Sequence, residues 1–308
     1  MAILTGMQTK LRGSAGSITF RRNCGQTIVS EKITDMRVSR TEQQARQRTK
    51  WANIVAIYKG IRPLLNYGFE SKPKGLSDYN MFMRLNMQKT PVYLTKQAVA
   101  GGACVAAPYV ISQGSLPAIV LSGSGNSVKT DIYLGSLAIS STTTVVAFSQ
   151  AVVNNNEDYQ YGDQISFFLI KQKVNADTEI PYCQFSACKV VLDAADTTTK
   201  LWDVVFSNAF SVQDSSLSHS GNEGDCAYAW VHSRKVNGKT RVSSQSLVAS
   251  NSKLADYQGD ATFDLSRSSY GQTTTAFLTP SGEGGSTSGG GNTGGGGNSG
   301  GGGGNDSL

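Results

Sequence analysis

Charged side chains are scarce in this 308-residue chain, at 16%, and there are only two histidines, His219 and His232. Catalysis needs acid, base, nucleophile or metal groups that converge on one place, and this composition offers few of them. No G-x-S-x-G elbow occurs, and nothing singles out one serine as the nucleophile of a Ser/His/Asp triad. His219 falls in a serine-rich stretch (SSLSHSGN), and His232 sits beside Ser233 and Arg234 in a strand-like run. The five cysteines, Cys24, Cys104, Cys183, Cys188 and Cys226, are odd in number and irregularly spaced, which excludes a secreted disulfide framework. Cys183 and Cys188 are the one close pair, and a five-residue step along a strand points the two side chains to opposite faces. With no second pair and no spaced His-x3-5-His, they read as buried structural thiols rather than zinc ligands.

Other absences narrow the field further. The glycine-rich run at 122–127 (SGSGNS) lacks the Gly-Lys-Ser/Thr ending of a phosphate loop and reads as a turn. Asp193, Asp196 and Asp203 lack the order of a calcium loop. Glu157, Asp158 and Asp163 flank a Tyr-Gly turn (NNNEDYQYGDQ) and are expected to cap or solubilise it, and no spacing argues for the paired carboxylates of a glycosidase. No apolar run reaches the roughly 20 residues that a membrane helix needs, so no membrane partner is expected. The segment MAILTGMQTKLRG has no apolar core before a small-residue cleavage site, so a cleavable secretory signal is not expected and the chain is expected to be made in the cytoplasm. The sequence therefore nominates no catalytic, metal or cofactor-binding residue and no cofactor.

Abundant polar uncharged residues, glycine and β-branched side chains favour sheets joined by loops. The expected fold is mainly β, a β-sandwich or irregular barrel, with a basic N-terminal arm, a hairpin and one or two helices. Three regions are expected: a basic arm, hairpin and helical module over 1–90, a β-rich domain over 91–280, and a disordered tail over 281–308. The tail holds 15 of the 34 glycines and almost nothing apolar, so it cannot bury enough surface to offset chain entropy. In the first region, residues 1–16 read as an extended arm. Residues 17–22 (SITFRR) and 26–32 (QTIVSEK) read as strands across a turn at Asn23-Cys24-Gly25. Thr41 and Gln44 form a capping box, and Ile54, Tyr58, Ile61 and Leu65 then line one helical face, with Pro63 expected to kink it. A shorter helix is expected over 78–88.

Further along, strands are expected at 92–94, 104–111, 118–121, 131–134, 164–171, 182–192 and 202–212. A hairpin pairs 227–235 with 240–248 around Asn237-Gly238, residue types suited to the positive φ of a type I′ turn. Within 142–153, Val145, Phe148 and Val152 fall at helical spacing.

The charge is unevenly placed. Residues 1–100 carry 17 basic and 5 acidic side chains, a balance of +12, while the remainder has a balance of −6. Lys10, Arg12, Arg21, Arg22, Arg46, Arg48 and Lys50 are the candidates for binding an anionic partner, either nucleic acid phosphates or an acidic protein surface. A solvated basic face is the plainer reading. No zinc finger, RNP motif or GXXG loop accompanies them, so base-specific recognition is not expected.

Several segments together resemble an uncharacterised protein family of Bacteroidota and their phages. These are Gly6 with residues 10–16 (KLRGSAG), the helix start at 41–48 (TEQQARQR), Tyr67-Gly68-Phe69, and the stretches YVISQGSLPAI (109–119) and VHSRKVNGKTRVSSQSL (231–247). The likeness spans roughly residues 1–70 plus patches of the β-rich region. That family has no assigned function, so the resemblance implies only a setting, a phage or prophage structural product or a related host protein. The sequence expectation is thus a non-enzymatic structural or assembly protein associated with a virion. Its partners would be other protein subunits, with nucleic acid as an alternative for the basic third. A sequence-independent nucleic-acid binder, and a hydrolytic or carbohydrate-active enzyme on a β-sandwich, are the competing readings.

Overall fold

The computed structural model describes residues 2–4, 11–23, 26–32, 42–65, 68–89, 94–102, 106, 108–124, 127–177, 179, 181–221, 224, 226–249 and 269. Among them strand outweighs helix, 40% to 23%, in four antiparallel sheets with no closed barrel. The mainly β expectation holds. The expected tail at 281–308 lies outside the described residues.

Strands β1 (Ala2–Leu4), β2 (Gly13–Ala15), β3 (Ile18–Asn23) and β4 (Gln26–Glu31) pair in the order β1-β4-β3-β2. The expected hairpin is β3–β4, in register from Ile18↔Glu31 to Asn23↔Gln26, and its turn at 24–25 lies outside the described residues. Parts of the segment read as a free arm instead add a strand to each side of this hairpin. The backbone groups left on a two-stranded ribbon explain why: short flanking strands satisfy them.

Helix α1 (Glu42–Leu65) buries Ile54, Ile57 and Ile61, with Tyr58 half-buried on the same stripe. It continues two residues past Pro63, which supplies no backbone donor to the last turn. The expected cap at Thr41 lies outside the described residues. Helix α2 (Asp78–Asn86) starts at Ser77, whose side chain accepts the Asn80 amide, and ends in a 3-10 turn at Met87–Lys89. Helix α3 (Lys96–Ala100) is capped in the same way by Thr95.

Next come β5 (Val110–Ser112), β6 (Leu121–Ser124), β7 (Ser127–Tyr133) and α4 (Val145–Asn155). Val145, Phe148 and Val152 are all buried on α4, as their spacing requires. Strands β8 (Gln164–Val174) and β9 (Pro181–Val191) form the longest hairpin. The strand expected over 202–212 is mostly absent. In its place is the single turn α5 (Leu201–Val204), followed by β10 (Ser211–Gln213). Leu201 and Val205, four apart, are buried there, and Trp202, Val204 and Phe206 are exposed. Of the expected strands at 104–111 and 118–121, the described residues outside β5 and β6 (106, 108–109 and 118–120) form no strand, and 91–93, 104–105 and 107 lie outside the described residues.

The chain then forms β11 (Ser216–Ser218), β12 (Cys226–Val236), β13 (Lys239–Val242), β14 (Gln245–Ser246) and β15 (Val248–Ala249). Asn237 and Gly238 take φ of 50° and 73° between β12 and β13, the positive angles that this turn demands. The central sheet has the order β13-β12-β8-β9, with β15 also on β12. A second sheet, β10-β11-β7-β6, faces it, and β14 pairs with β5.

Both faces of the central sheet are buried. Phe168, Ile170, Cys183, Ala227, Ala229 and Val231 pack with Ile54, Ile57 and Ile61 of α1 and with Phe82 of α2. The alternate residues Ile165, Phe167, Leu169, Cys188, Tyr228 and Trp230 pack with α4 and the second sheet. Cys183 and Cys188 thus lie on opposite faces, as a five-residue step along β9 dictates. Burial pushes the Cys188 thiol up to about 11, so it is not a nucleophile near neutrality. Asn86 fastens α2 to β5: its amide donates to the Val110 carbonyl at 2.8 Å and its oxygen accepts the Val110 amide at 2.7 Å.

Gly60 lets α1 approach the sheet, because a methyl group there would overlap the Phe185 ring of β9. In an open helix Gly→Ala stabilises by about 1 kcal/mol. Here overpacking, at about 1–3 kcal/mol, outweighs that gain. Gly60→Ala is therefore expected to lower stability in urea unfolding, and a higher midpoint would contradict the close approach.

Candidate functional site

Of the nominated basic residues, the fold places Arg12 and Arg21 next to each other and Arg22 on the opposite face of the same sheet. Arg21 and Arg22 are exposed on β3, and Arg12 is exposed just before β2. The β2–β3 register ends at Gly13↔Phe20, so Arg12 and Arg21 are the next residues on neighbouring strands. Arg21 and Arg22 alternate, which gives each sheet face a guanidinium. Lys50, on α1, is half-buried with its ammonium 3.4 Å from the Gln88 side-chain oxygen. Arg46 and Arg48 are also on α1, but their side chains lie outside the described residues, as does Lys10. Among the described residues, none of β1–β4 belongs to either hydrophobic cluster. Ile18 is 42% exposed there, and Phe20, Ile28 and Val29 are only half-buried.

A second constellation was hidden in the turn 154–164. Asp163, just before β8, is fully buried. The register Gln164↔Ser233 places it beside Arg234 of β12. Arg234 Nε donates to Oδ1 at 2.7 Å and its Nη2 to Oδ2 at 2.6 Å, a bidentate pair. His232 Nε2 lies 2.9 Å from Oδ2, which also accepts the Gln160 amide at 3.0 Å. Burial disfavours the charged carboxylate, but the hydrogen bonds from Arg234, then His232 and the Gln160 amide, outweigh it and hold Asp163 at about 2. The carboxylate being ionised, Nε2 carries the proton that it donates. Tyr159 stacks on the His232 ring, with centroids 4.4 Å apart and planes 25° from parallel. Its phenol is pushed up by burial, reinforced by the charges of Asp131, Asp158 and Asp163.

The expectation that Asp163 caps its turn is met by the Gln160 bond, but the larger role is as a hub. Its backbone also closes the turn onto the end of β9, where the Leu192 amide donates to the Asp163 carbonyl at 2.7 Å. A signal for this was present in sequence: His232 and Arg234 extend the Tyr228–Trp230 face of the hairpin, and ionisable residues ending an apolar face require an acid partner. What the sequence lacked was the identity of that acid, 69 residues away in the chain from His232. The arrangement has no serine nucleophile: the Ser243 hydroxyl accepts the His232 backbone amide, at 3.0 Å, and not a ring bond. Among the described residues, no three His, Cys, Asp or Glu side chains gather as metal ligands.

Compared with protein-family models, with curated proteins and with solved structures, the chain finds no match in any of the three.

Because Asp163 titrates lower when folded than its ordinary value of 3.8, its contribution is present above about pH 4 and is lost as pH falls toward about 2. Asp163→Ala leaves His232 Nε2 without its acceptor and Arg234 with only the Asp158 carbonyl, and is expected to cost about 3–5 kcal/mol. Urea unfolding between pH 2 and pH 5 checks both points. The native chain should lose stability down that window, and the variant should lose less.

Proposed function

We propose that this chain is a non-enzymatic assembly subunit, associated with a phage particle, that docks through its N-terminal sheet onto the acidic body of a second copy. One observation carries the reading: β1–β4 form a sheet whose described residues join neither core, yet it displays half-buried apolar side chains beside exposed Arg12, Arg21 and Arg22. A small sheet needs a packed face to be stable; among its described residues only Thr27 is fully buried, and the half-buried apolar side chains are suited to complete another core. The charge favours a second copy as the occupant, since a first third at +12 complements a remainder at −6. Such head-to-tail contact joins two different surfaces and builds rings or filaments. The phage setting draws on the sequence resemblance at residues 1–70 and in the β-rich region.

Sedimentation velocity over a range of protein and salt concentrations tests it. The native chain should self-associate, and rising salt should dissociate it. The triple variant Arg12→Glu, Arg21→Glu, Arg22→Glu should remain monomeric with unchanged unfolding. A native chain that stays monomeric at every concentration sinks the assembly reading. If that monomer binds duplex DNA with an affinity falling steeply with salt, the basic sheet is a nucleic-acid surface instead.

A further inference from the structure

A pocket of about 150 Å³ opens beside the Asp163 hub, and its lining is one-sided in chemistry. Asp131, Glu157 and Asp158 supply carboxylates, while Tyr159, Pro117 and Ala118 supply apolar surface. The Asn156 amide, also at the pocket, is already committed to the Tyr133 backbone and the Val152 carbonyl. His232 lines the pocket although it is only 1% exposed. Its Nε2 is held by Asp163, and Nδ1, which has no hydrogen-bond partner among the described residues, is open to the cavity. When the ring is neutral with its proton on Nε2, Nδ1 presents a lone pair. The carboxylates and Nδ1 therefore accept hydrogen bonds and do not donate them, while the Tyr159 hydroxyl can do either.

A negatively charged pocket lined mostly by acceptors, with apolar walls, favours a ligand that is rich in donors, carries positive charge and has a short hydrocarbon stem. We propose that this pocket binds an organic cation, an ammonium or guanidinium head group, held between the carboxylates of Asp131 and Asp158 and the Nδ1 of His232. Asp131 is consistent with this. Burial raises its carboxyl and the nearby Asp158 charge raises it further, a repulsion that a bound cation relieves. Among the described residues no set of three ligands suits a metal ion, which leaves an organic head group as the matching cation. The Asp163–Arg234 pair keeps the His232 ring oriented, so the acceptor is fixed before the ligand arrives. This binding site stands independently of the assembly reading.

Methylguanidinium and propylammonium, titrated into the full-length chain at low salt, test the inference by calorimetry and by the ring nitrogen resonances of His232. Saturable binding that shifts the Nδ1 resonance is expected for at least one probe. Asp131→Asn and Asp158→Asn should each weaken it about tenfold, the cost of one charged hydrogen bond, with unchanged unfolding. Absence of saturable binding, binding that leaves the His232 ring undisturbed, or affinity indifferent to both substitutions overturns the proposal. The source of the natural head group follows from sedimentation of Asp158→Asn. A smaller species than the native chain identifies a basic side chain of a second copy, and an unchanged one identifies a free small molecule. Self-association lost in the arginine variant but kept in Asp158→Asn separates the two interfaces.

Discussion

Strands β8 and β12 lie side by side in the middle of the molecule with apolar layers on both faces, and most of the architecture follows from that constraint. Antiparallel sheets commonly leave one face to water and alternate apolar with polar residues. Here residues 165–170 and 226–232 are buried without interruption. Such a strand pair cannot exist until both faces are covered. Helices α1 and α2 cover one, and α4 with the second sheet covers the other. Side-chain size is matched across the pair: Phe168 faces Ala229, and Phe167 stands beside Trp230 with ring centroids 5.3 Å apart. The helical segments nominally assigned to the first ninety residues are therefore part of the same packing problem as the β-rich region.

Where the buried run ends, polarity has to be admitted without leaving a charge unpaired. Asp163 resolves this at one edge. Its carboxylate accepts from a guanidinium, an imidazole and a backbone amide, while its carbonyl ties the turn 154–164 to the end of β9. A buried pair of this kind adds little net stability compared with a well-packed apolar substitute, but it fixes geometry, because any other register leaves charges unsatisfied. The rigid ring of His232, stacked on Tyr159, is a consequence of that pinning. The adjoining pocket inherits a preset acceptor from a structural device.

The N-terminal sheet obeys different physics. It is held by its own ladders from Ala2↔Val29 to Ala15↔Ile18, and its described residues add nothing to either hydrophobic cluster. The proposed contact with a second copy would cover its exposed and half-buried apolar side chains and bring together the oppositely charged parts of the chain. An assembly surface and a small cation pocket are compatible in one molecule, since the first uses the basic sheet and the second the acidic turn beside β8.

Local pattern alone determined a good deal: the mainly β class, α2, α4 with its Val145–Phe148–Val152 face, the β12–β13 turn at Asn237-Gly238, and the opposed cysteines of β9. These depend on side chains within a few residues of each other, where periodicity and turn chemistry act directly. Residues 202–212 misled because a run rich in Trp, Val and Phe has strand propensity, yet the chain there forms α5 and turns before β10. The sequence also could not reveal that Asp163 would meet His232 and Arg234, that Asp131 would stand near Asp158, or that the described residues of β1–β4 would join neither hydrophobic cluster. Those facts follow from which strands become neighbours. Strand pairing is settled by burial summed over the whole chain, so only the tertiary structure decided them.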